Sequence, residues 1–267
     1  MPQRLAKALH RQIGWLSGAV PVDEIALALG IAEIRRDELD GCEGVLLTDR
    51  VRSHGKILVN SRRGFQAARF GIAHELGHFL LERHELGIGG TFTCTQGDMR
   101  ETRTARLNKR QEVEANEFAT GLLAPHDLLV PFLKMQPEIS AAADLRTKLD
   151  ISLEAAARCL IERHDEPIAA VWTTTGRIRY SVRGASFPWI ERGRGDQVPP
   201  SRTAAALIAG GTGTTPMREV VPAAWTLADI PELFEEVRIG KDGHALTLLW
   251  ATLPEAVGRD DNPDDRD

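Results

Sequence analysis

Cysteine is scarce in this sequence of 267 residues: there are three, at positions 42, 94 and 159. An odd number at such wide spacing does not indicate a disulfide framework. Long apolar runs are also missing, because Arg, Glu or Gly interrupts every candidate before it reaches the roughly 20 residues that cross a bilayer. The first residues, MPQRLAKALHRQIGWL, lack the uninterrupted apolar core of a signal peptide. We therefore expect a cytoplasmic protein.

The sequence also carries little net charge, with 33 Lys and Arg against 38 Asp and Glu, or −5. The segment 254–267, PEAVGRDDNPDDRD, contributes −4 of this, and its composition predicts an acidic, disordered tail. The rest of the chain is nearly neutral, which argues against a protein that holds nucleic acid through bulk positive charge. Direct DNA binding is therefore not favoured.

What the sequence does have is a helical first part and a mixed second part. Hydrophobic residues make up 42%, enough for one large core or two modest ones. Helical spacing dominates up to about residue 165, interrupted by two β-rich runs at 44–49 and 56–60 that we interpret as an antiparallel hairpin. We predict an α+β fold, with a mostly helical domain and small antiparallel sheet at 1–165, followed by a mixed α/β domain at 166–253.

The chemistry-bearing motif is HELGH at 74–78, within a strong helical pattern that runs from Phe65 to about Glu85. Positions four apart lie one helical turn above each other, so His74 and His78 can present imidazole nitrogens to one metal ion, with Glu75 beside it. This arrangement is typical of zinc peptidases, which need about three protein ligands and one open position.

A third ligand must come from elsewhere, and His84 is one candidate. It follows His78 by six residues, a spacing known among zinc peptidases, but there the helix breaks at a glycine where this chain has Leu81. The segment FLLERHE favours a continuing helix, which would direct His84 well away from His74 and His78. His84 is therefore not the preferred ligand.

The later helical segment QEVEANEFATGLLAP, at 111–125, offers better candidates. Glu112 and Asn116 lie one turn apart, so the carboxylate can bind a metal while the amide orients a ligating histidine. Glu114 is the competitor, but about 200° of helix rotation separates it from Glu112, so only one can face the metal. Small residues on the face of Glu112 permit close approach of another helix, which favours Glu112.

The segments FGIAHELGHFLL at 70–81 and EVEANEFATGLLAP at 112–125 together resemble the two signature segments of the ImmA/IrrE family of bacterial zinc metallopeptidases. KILVN at 56–60 also fits, and the resemblance covers roughly residues 20–165. It implies a zincin-like peptidase domain, with zinc held by His74, His78 and Glu112 and with Glu75 as the catalytic base. It further implies a helix-turn-helix repressor as substrate, and derepression of stress or mobile-element genes as the outcome.

Several alternatives stay open. A regulator that keeps zinc for structure, and relieves repression by binding the repressor or DNA, is the main rival to a peptidase. The segment 141–164 is compatible with a helix-turn-helix, although packing helices explain it as well. The region 166–253 has a sensor or regulatory role by analogy with some family members.

Details of the site also stay open. Cys94 lies in a polar segment, 91–108, that predicts a mobile loop, and its thiolate can in principle block the zinc. KILVN can bind an extended substrate if it is a sheet edge. For the oxyanion, Tyr180 and His126 are considered, but neither is assigned.

Overall fold

The computed structural model describes residues 1–14, 17–86, 90–95, 97–100 and 107–254. The acidic segment predicted to be disordered lies, from residue 255 onward, outside these residues. The chain divides into two compact units, one formed by Met1–Met135 and Ser140–Cys159, the other by Gln136–Ile139 and Leu160–Asp267. Helices and sheets occur together, so the α+β prediction is confirmed.

Unit 1 contains the predicted motif helix and a small sheet. Its helices are α1 Pro2–Ile13, α2 Val22–Ala28, α3 Phe65–Leu80, α4 Leu107–Leu123, α5 His126–Leu133, and most of α6 Ile139–Leu149 and α7 Leu153–Ile161. Its strands are β1 Ile31–Asp37, β2 Gly44–Thr48, β3 Gly55–Asn60 and β4 Thr91–Cys94, and a short 3-10 turn covers Asp98–Arg100.

The strands of unit 1 lie in the order β1-β3-β2-β4. β2 and β3 pair antiparallel as the sequence predicts, with Leu46 opposite Ile57, whereas β1 joins β3 in parallel. β3 is therefore an inner strand, and the hypothesis that KILVN offers a free edge to a substrate is wrong. β4 pairs with β2 and ends the described sheet. Residues 91–94 are thus a strand and not the predicted loop, while 96 and 101–106 lie outside the described residues.

α3 lies against the sheet and against α4. Eleven of its 16 residues are buried, so it is an inner helix and not one with a single apolar stripe. Gly77 permits its close contact with α4, since a Cβ there would lie 3.3 Å from the Cα of Ala115 and 3.0 Å from the ring of Phe118. The backbones of the two motif-bearing helices therefore approach each other at the level of the HELGH segment.

The C-terminal end of α3 is stabilised by Arg52, in the β2–β3 connection. Its guanidinium donates to the carbonyl oxygens of His78 at 2.8 Å and Leu81 at 2.6 Å, and also to that of His84. The last carbonyls of a helix have no intrahelical donor, and a cation is favoured there. The helix consequently ends at Leu80, five residues before the predicted end, and the chain turns back towards the site.

Unit 2 is built on an antiparallel sheet with its own core. The strands are β5 Ile168–Thr174, β6 Arg177–Arg183, β7 Gly213–Thr214, β8 Arg218–Val220, β9 Glu232–Ile239 and β10 His244–Thr252, with α8 at Arg202–Ala209. The order is β6-β5-β10-β9-β7, and β8 also pairs with β9. Phe187, Trp225 and Leu233 are fully buried against β5 and β10 residues such as Val171 and Leu249. In the described part of the chain, no helix has both the length and the apolarity to span a bilayer.

Candidate metal centre

His74 and His78 converge as expected for helical positions four apart. Both side chains are fully buried, and their Nε2 atoms lie 3.1 Å from each other. α3 fixes their spacing, and Phe92 of β4 stacks on the ring of His78 with centroids 4.4 Å apart. The two imidazoles are therefore held in place from the helix and from the sheet.

Glu112 reaches the two histidines from α4. Its Oε2 lies 3.2 Å from Nε2 of His74 and its Oε1 3.5 Å from Nε2 of His78. Although burial opposes ionisation, hydrogen bonds with both histidines hold the pKa of Glu112 well below its usual range. The carboxylate is therefore charged and directed at the point where the imidazoles meet.

Asn116 determines which nitrogen of His74 faces the cluster. The amide nitrogen of Asn116 donates to the carbonyl of Asp98 at 3.0 Å, which turns its Oδ1 towards Nδ1 of His74 at 2.9 Å. Nδ1 of His74 then carries a proton, and Nε2 is left for a cation. This is the orienting role that the spacing of Glu112 and Asn116 predicts for the amide.

His84 lies against His78, so the expectation that it points well away is wrong. Because α3 ends at Leu80, the chain brings Nδ1 of His84 to 2.9 Å from Nδ1 of His78. Nε2 of His84 lies 3.1 Å from Oε2 of Glu114. A proton on Nδ1 of His78 can thus be donated to His84, whose other nitrogen donates to Glu114, and Nε2 of His78 is left for a cation.

Glu114 lies outside the group of candidate ligands. Its carboxylate contacts His84, Arg83 at 2.7 Å and Arg110 at 3.0 Å. Burial opposes ionisation, but the hydrogen bonds from Arg110, His84 and Arg83 lower the pKa of Glu114. The two glutamates of α4 therefore have different positions. Glu112 faces the two motif histidines, and Glu114 contacts His84, which in turn contacts His78.

The donor atoms fit a metal ion. Nitrogen and oxygen ligands of a tetrahedral zinc site lie about 3.3 Å from one another. The separations among the donors of His74, His78 and Glu112 are close to this edge, at 3.1, 3.2 and 3.5 Å. Two Nε2 lone pairs and a carboxylate repel unless a cation lies between them. A proton on His74 can partly replace this cation. Burial lowers the pKa of His74, but the hydrogen bond to Glu112 and the charges of Glu75 and Glu112 together raise it by more. A metal ion satisfies all three groups at once.

The protonation state of His78 also favours metal binding. Burial lowers the pKa of its imidazole to about 4, despite the opposing hydrogen bond with Glu112. A histidine with that pKa is neutral at pH 7, which is the form that binds metals. Two imidazoles and one carboxylate make a donor set suited to zinc and to other transition metals.

Glu75 is buried beside this group without a hydrogen-bond partner among the described residues. Both of its carboxylate oxygens are inaccessible, and burial raises its pKa to about 7, with the charge of His74 opposing. A buried carboxylate without a donor destabilises a fold, so its presence indicates a chemical role. A pKa near 7 suits a group that accepts and returns a proton.

Comparison with known proteins places this geometry in a family. Residues 35–160 match the model of the IrrE N-terminal-like domain, Peptidase_M78. This segment is similar to the ImmA/IrrE family. The family relationship agrees with the resemblance of the HELGH and EANEFA segments, and it makes a metal ion the expected occupant of the site.

Two curated relatives support the ImmA/IrrE assignment. The radiation response metalloprotease IrrE of Deinococcus radiodurans is 25% identical over 68% of this chain, and that of Deinococcus deserti is 28% identical over 54%. The chain spans about half the length of these relatives, 54% in each case. Among solved structures, a Mycobacterium tuberculosis transcriptional regulator aligns with 94% of this chain and 76% of its own at a TM-score of 0.60. With 14% identity, it shares the fold.

The remaining candidate residues are not among the donor atoms of the cluster. His126 is exposed at the start of α5. Tyr180 lies in unit 2, where its ring stacks on Trp172. The basic residues at 50–69 do not form an open patch, because several have acidic partners: Lys56 contacts Glu33, and Arg62 contacts Asp40.

Gly44 is a site residue that the sequence did not reveal. It is the first residue of β2 and pairs with Cys94, and a Cβ at this position would overlap Oε1 of Glu75. A glycine before a β-rich run is common and does not indicate a site. Only the close approach of Gly44 to Glu75 of α3 identifies it as a site residue.

We expect Gly44→Ala to lower the rate constant for peptide cleavage while metal affinity stays close to that of the wild type. The added methyl displaces the carboxylate of Glu75 but touches no candidate ligand. Misplacing a reacting group by about 1 Å can cost about 100-fold in rate. Steady-state kinetics and a zinc titration measure the two effects. Gly18→Ala is a control outside the site, because the backbone there is not in the left-handed region and the new methyl meets only the carbonyl oxygen of Lys148, at 3.6 Å. Equal cleavage by Gly44→Ala and the wild type would contradict the placement of Glu75.

Proposed function

We propose that this protein is a zinc-dependent endopeptidase of the cytoplasm that cleaves a helix-turn-helix transcriptional repressor. The observation that carries the proposal is the position of Glu75, a buried carboxylate without a partner among the described residues, beside the converging donors of His74, His78 and Glu112. A structural metal site has no use for such a group, whereas hydrolysis needs one.

The residues of the chain have separate roles in this reaction. His74, His78 and Glu112 would hold a zinc ion, which would supply a Lewis acid for the scissile carbonyl and for water. Glu75 accepts the proton of the attacking water and returns it to the leaving amine. Asn116 orients His74, and His84 with Glu114 orients His78, which keeps both Nε2 atoms directed at the metal.

The end of the described sheet supports binding of an extended peptide. β4 pairs with β2 on one side, and it contains Phe92 and Cys94, which lie at the cluster. A peptide that adds to the other side of β4 through main-chain hydrogen bonds would pass close to Glu75. An extended segment of the repressor, such as a linker, suits this mode better than a folded helix.

The regulatory role rests on the family. The resemblance of the signature segments implies a repressor substrate, and the curated relatives are named for the radiation response. We extend this to release of repressed stress or mobile-element genes when the repressor is cut.

Cleavage of a candidate repressor tests this function. The zinc-loaded protein is incubated with the helix-turn-helix protein encoded next to its gene, and intact mass spectrometry follows the products. We expect one specific cut by the wild type and none by Glu75→Gln. If neither cuts but both dissociate the repressor from its operator, the peptidase proposal is wrong.

One observation favours the rival, a zinc-containing regulator without peptidase activity. The thiol of Cys94 lies with the other donors, and four protein ligands are typical of structural zinc sites. In that case Glu75→Gln relieves repression in cells as well as the wild type does. An operator-controlled reporter in cells that express either chain distinguishes the two functions.

A further inference from the structure

Cys94 is held at the cluster by the β2–β4 pairing. It is the last residue of β4, its side chain is buried, and its carbonyl accepts from the backbone N–H of Glu43 at 2.8 Å. Its Sγ lies 3.7 Å from Nε2 of His78. It therefore occupies a defined place in the sheet, unlike the loop cysteine that the sequence suggests.

The sulfur is a candidate fourth ligand. The donor atoms of His74, His78, Cys94 and Glu112 all lie within 4.8 Å of one another. The distance of 3.7 Å from sulfur to Nε2 of His78 is close to the sulfur–nitrogen edge of a tetrahedral zinc site, about 3.6 Å. In a peptidase this fourth position must be open to water and substrate, so a bound sulfur closes the site.

We propose that Cys94 is a displaceable fourth ligand of the metal and that the centre is latent while its sulfur is bound. This rests on the proposed peptidase function. With sulfur bound as a thiolate, its proton released to solvent, water and substrate lack a coordination position. Displacement of Cys94 from the metal restores the open position.

Cobalt substitution tests the ligand directly, without any substrate. Cobalt(II) bound to a thiolate shows an intense charge-transfer band in the near ultraviolet, separate from its weaker visible bands. We expect this band in the cobalt-loaded wild type and its loss in Cys94→Ala, with the visible bands retained. The matched controls Cys42→Ala and Cys159→Ala keep the band, since neither residue belongs to the cluster. A wild type that binds cobalt without the band overturns the proposal.

Cleavage tests latency separately. Relative to the wild type, zinc-loaded Cys94→Ala is expected to cut the repressor about tenfold faster or more. Cys94→Ser keeps the side-chain size and serves if the alanine variant does not fold. Equal or slower cleavage by a folded, zinc-loaded variant overturns latency. If the band is present but neither wild type nor variant cuts, the peptidase function fails, and Cys94 remains supported as a ligand of a structural site.

Discussion

Glu75→Gln is expected to reduce peptide cleavage by about 10²–10⁴-fold, the usual contribution of a general base. Glutamine has nearly the shape of glutamate but cannot accept and return a proton at neutral pH. Because the ligands His74, His78 and Glu112 are unchanged, zinc stoichiometry should stay at the wild-type value. Initial rates with the repressor and metal analysis of the same samples measure both. The matched control is Glu117→Gln, at an exposed position of α4, which should cleave normally. Undiminished cleavage by Glu75→Gln would contradict the assigned role.

The same variant has a second signature in the metal-free protein. Burial raises the pKa of Glu75 in the folded state to about 7, above its ordinary value of 4.5, so ionisation disfavours the fold. Below pH 4.5 the carboxyl is protonated in both states and imposes no penalty. As pH rises towards and above 7, the penalty grows to about 3 kcal/mol. Metal-free Glu75→Gln should therefore be more stable than the wild type at pH 8, by urea unfolding, although it is inactive.

Glu112→Gln and Glu114→Gln are expected to affect metal affinity very differently. Glu112 is directed at the two motif histidines, so its loss removes a ligand and should lower zinc affinity by more than about 100-fold. Glu114 acts through His84, and groups that orient a ligand contribute about 10–100-fold in metal affinity or activity. Competition with a chelator of known affinity measures both. A larger loss in Glu114→Gln would show that the wrong glutamate has been assigned.

Local periodicity made much of the centre predictable. The one-turn spacing places His74 above His78, and the same rule groups Glu112 with Asn116 and separates both from Glu114. These inferences need only a helix, and α3 and α4 are helices. Binding of zinc by these residues stays a prediction, as does the domain boundary at residue 165.

The parts that local rules missed depend on distant residues. FLLERHE has good helical propensity, and the helix nevertheless ends at Leu80, where Arg52 from the β2–β3 connection donates to its last carbonyls. That ending brings His84 to His78. Propensity is a weak prior that tertiary contacts override.

β4 is a second element that local sequence rules did not predict. Its four residues are polar apart from Phe92 and Cys94, and the segment forms a strand because β2 provides a partner and His78 a surface for Phe92. Cys94 acquires its place beside the histidines only through this pairing. Neither its neighbours in sequence nor its spacing from HELGH indicates it.

The most direct test of the account is the position and ligands of the bound metal. A crystal of the zinc-loaded protein, with anomalous data collected on both sides of the zinc edge, locates the ion. We expect one zinc bonded to Nε2 of His74, Nε2 of His78 and the carboxylate of Glu112, with Glu75 unbound beside it. A zinc held by Glu114 or His84, or no ion at these residues in an active preparation, would contradict it.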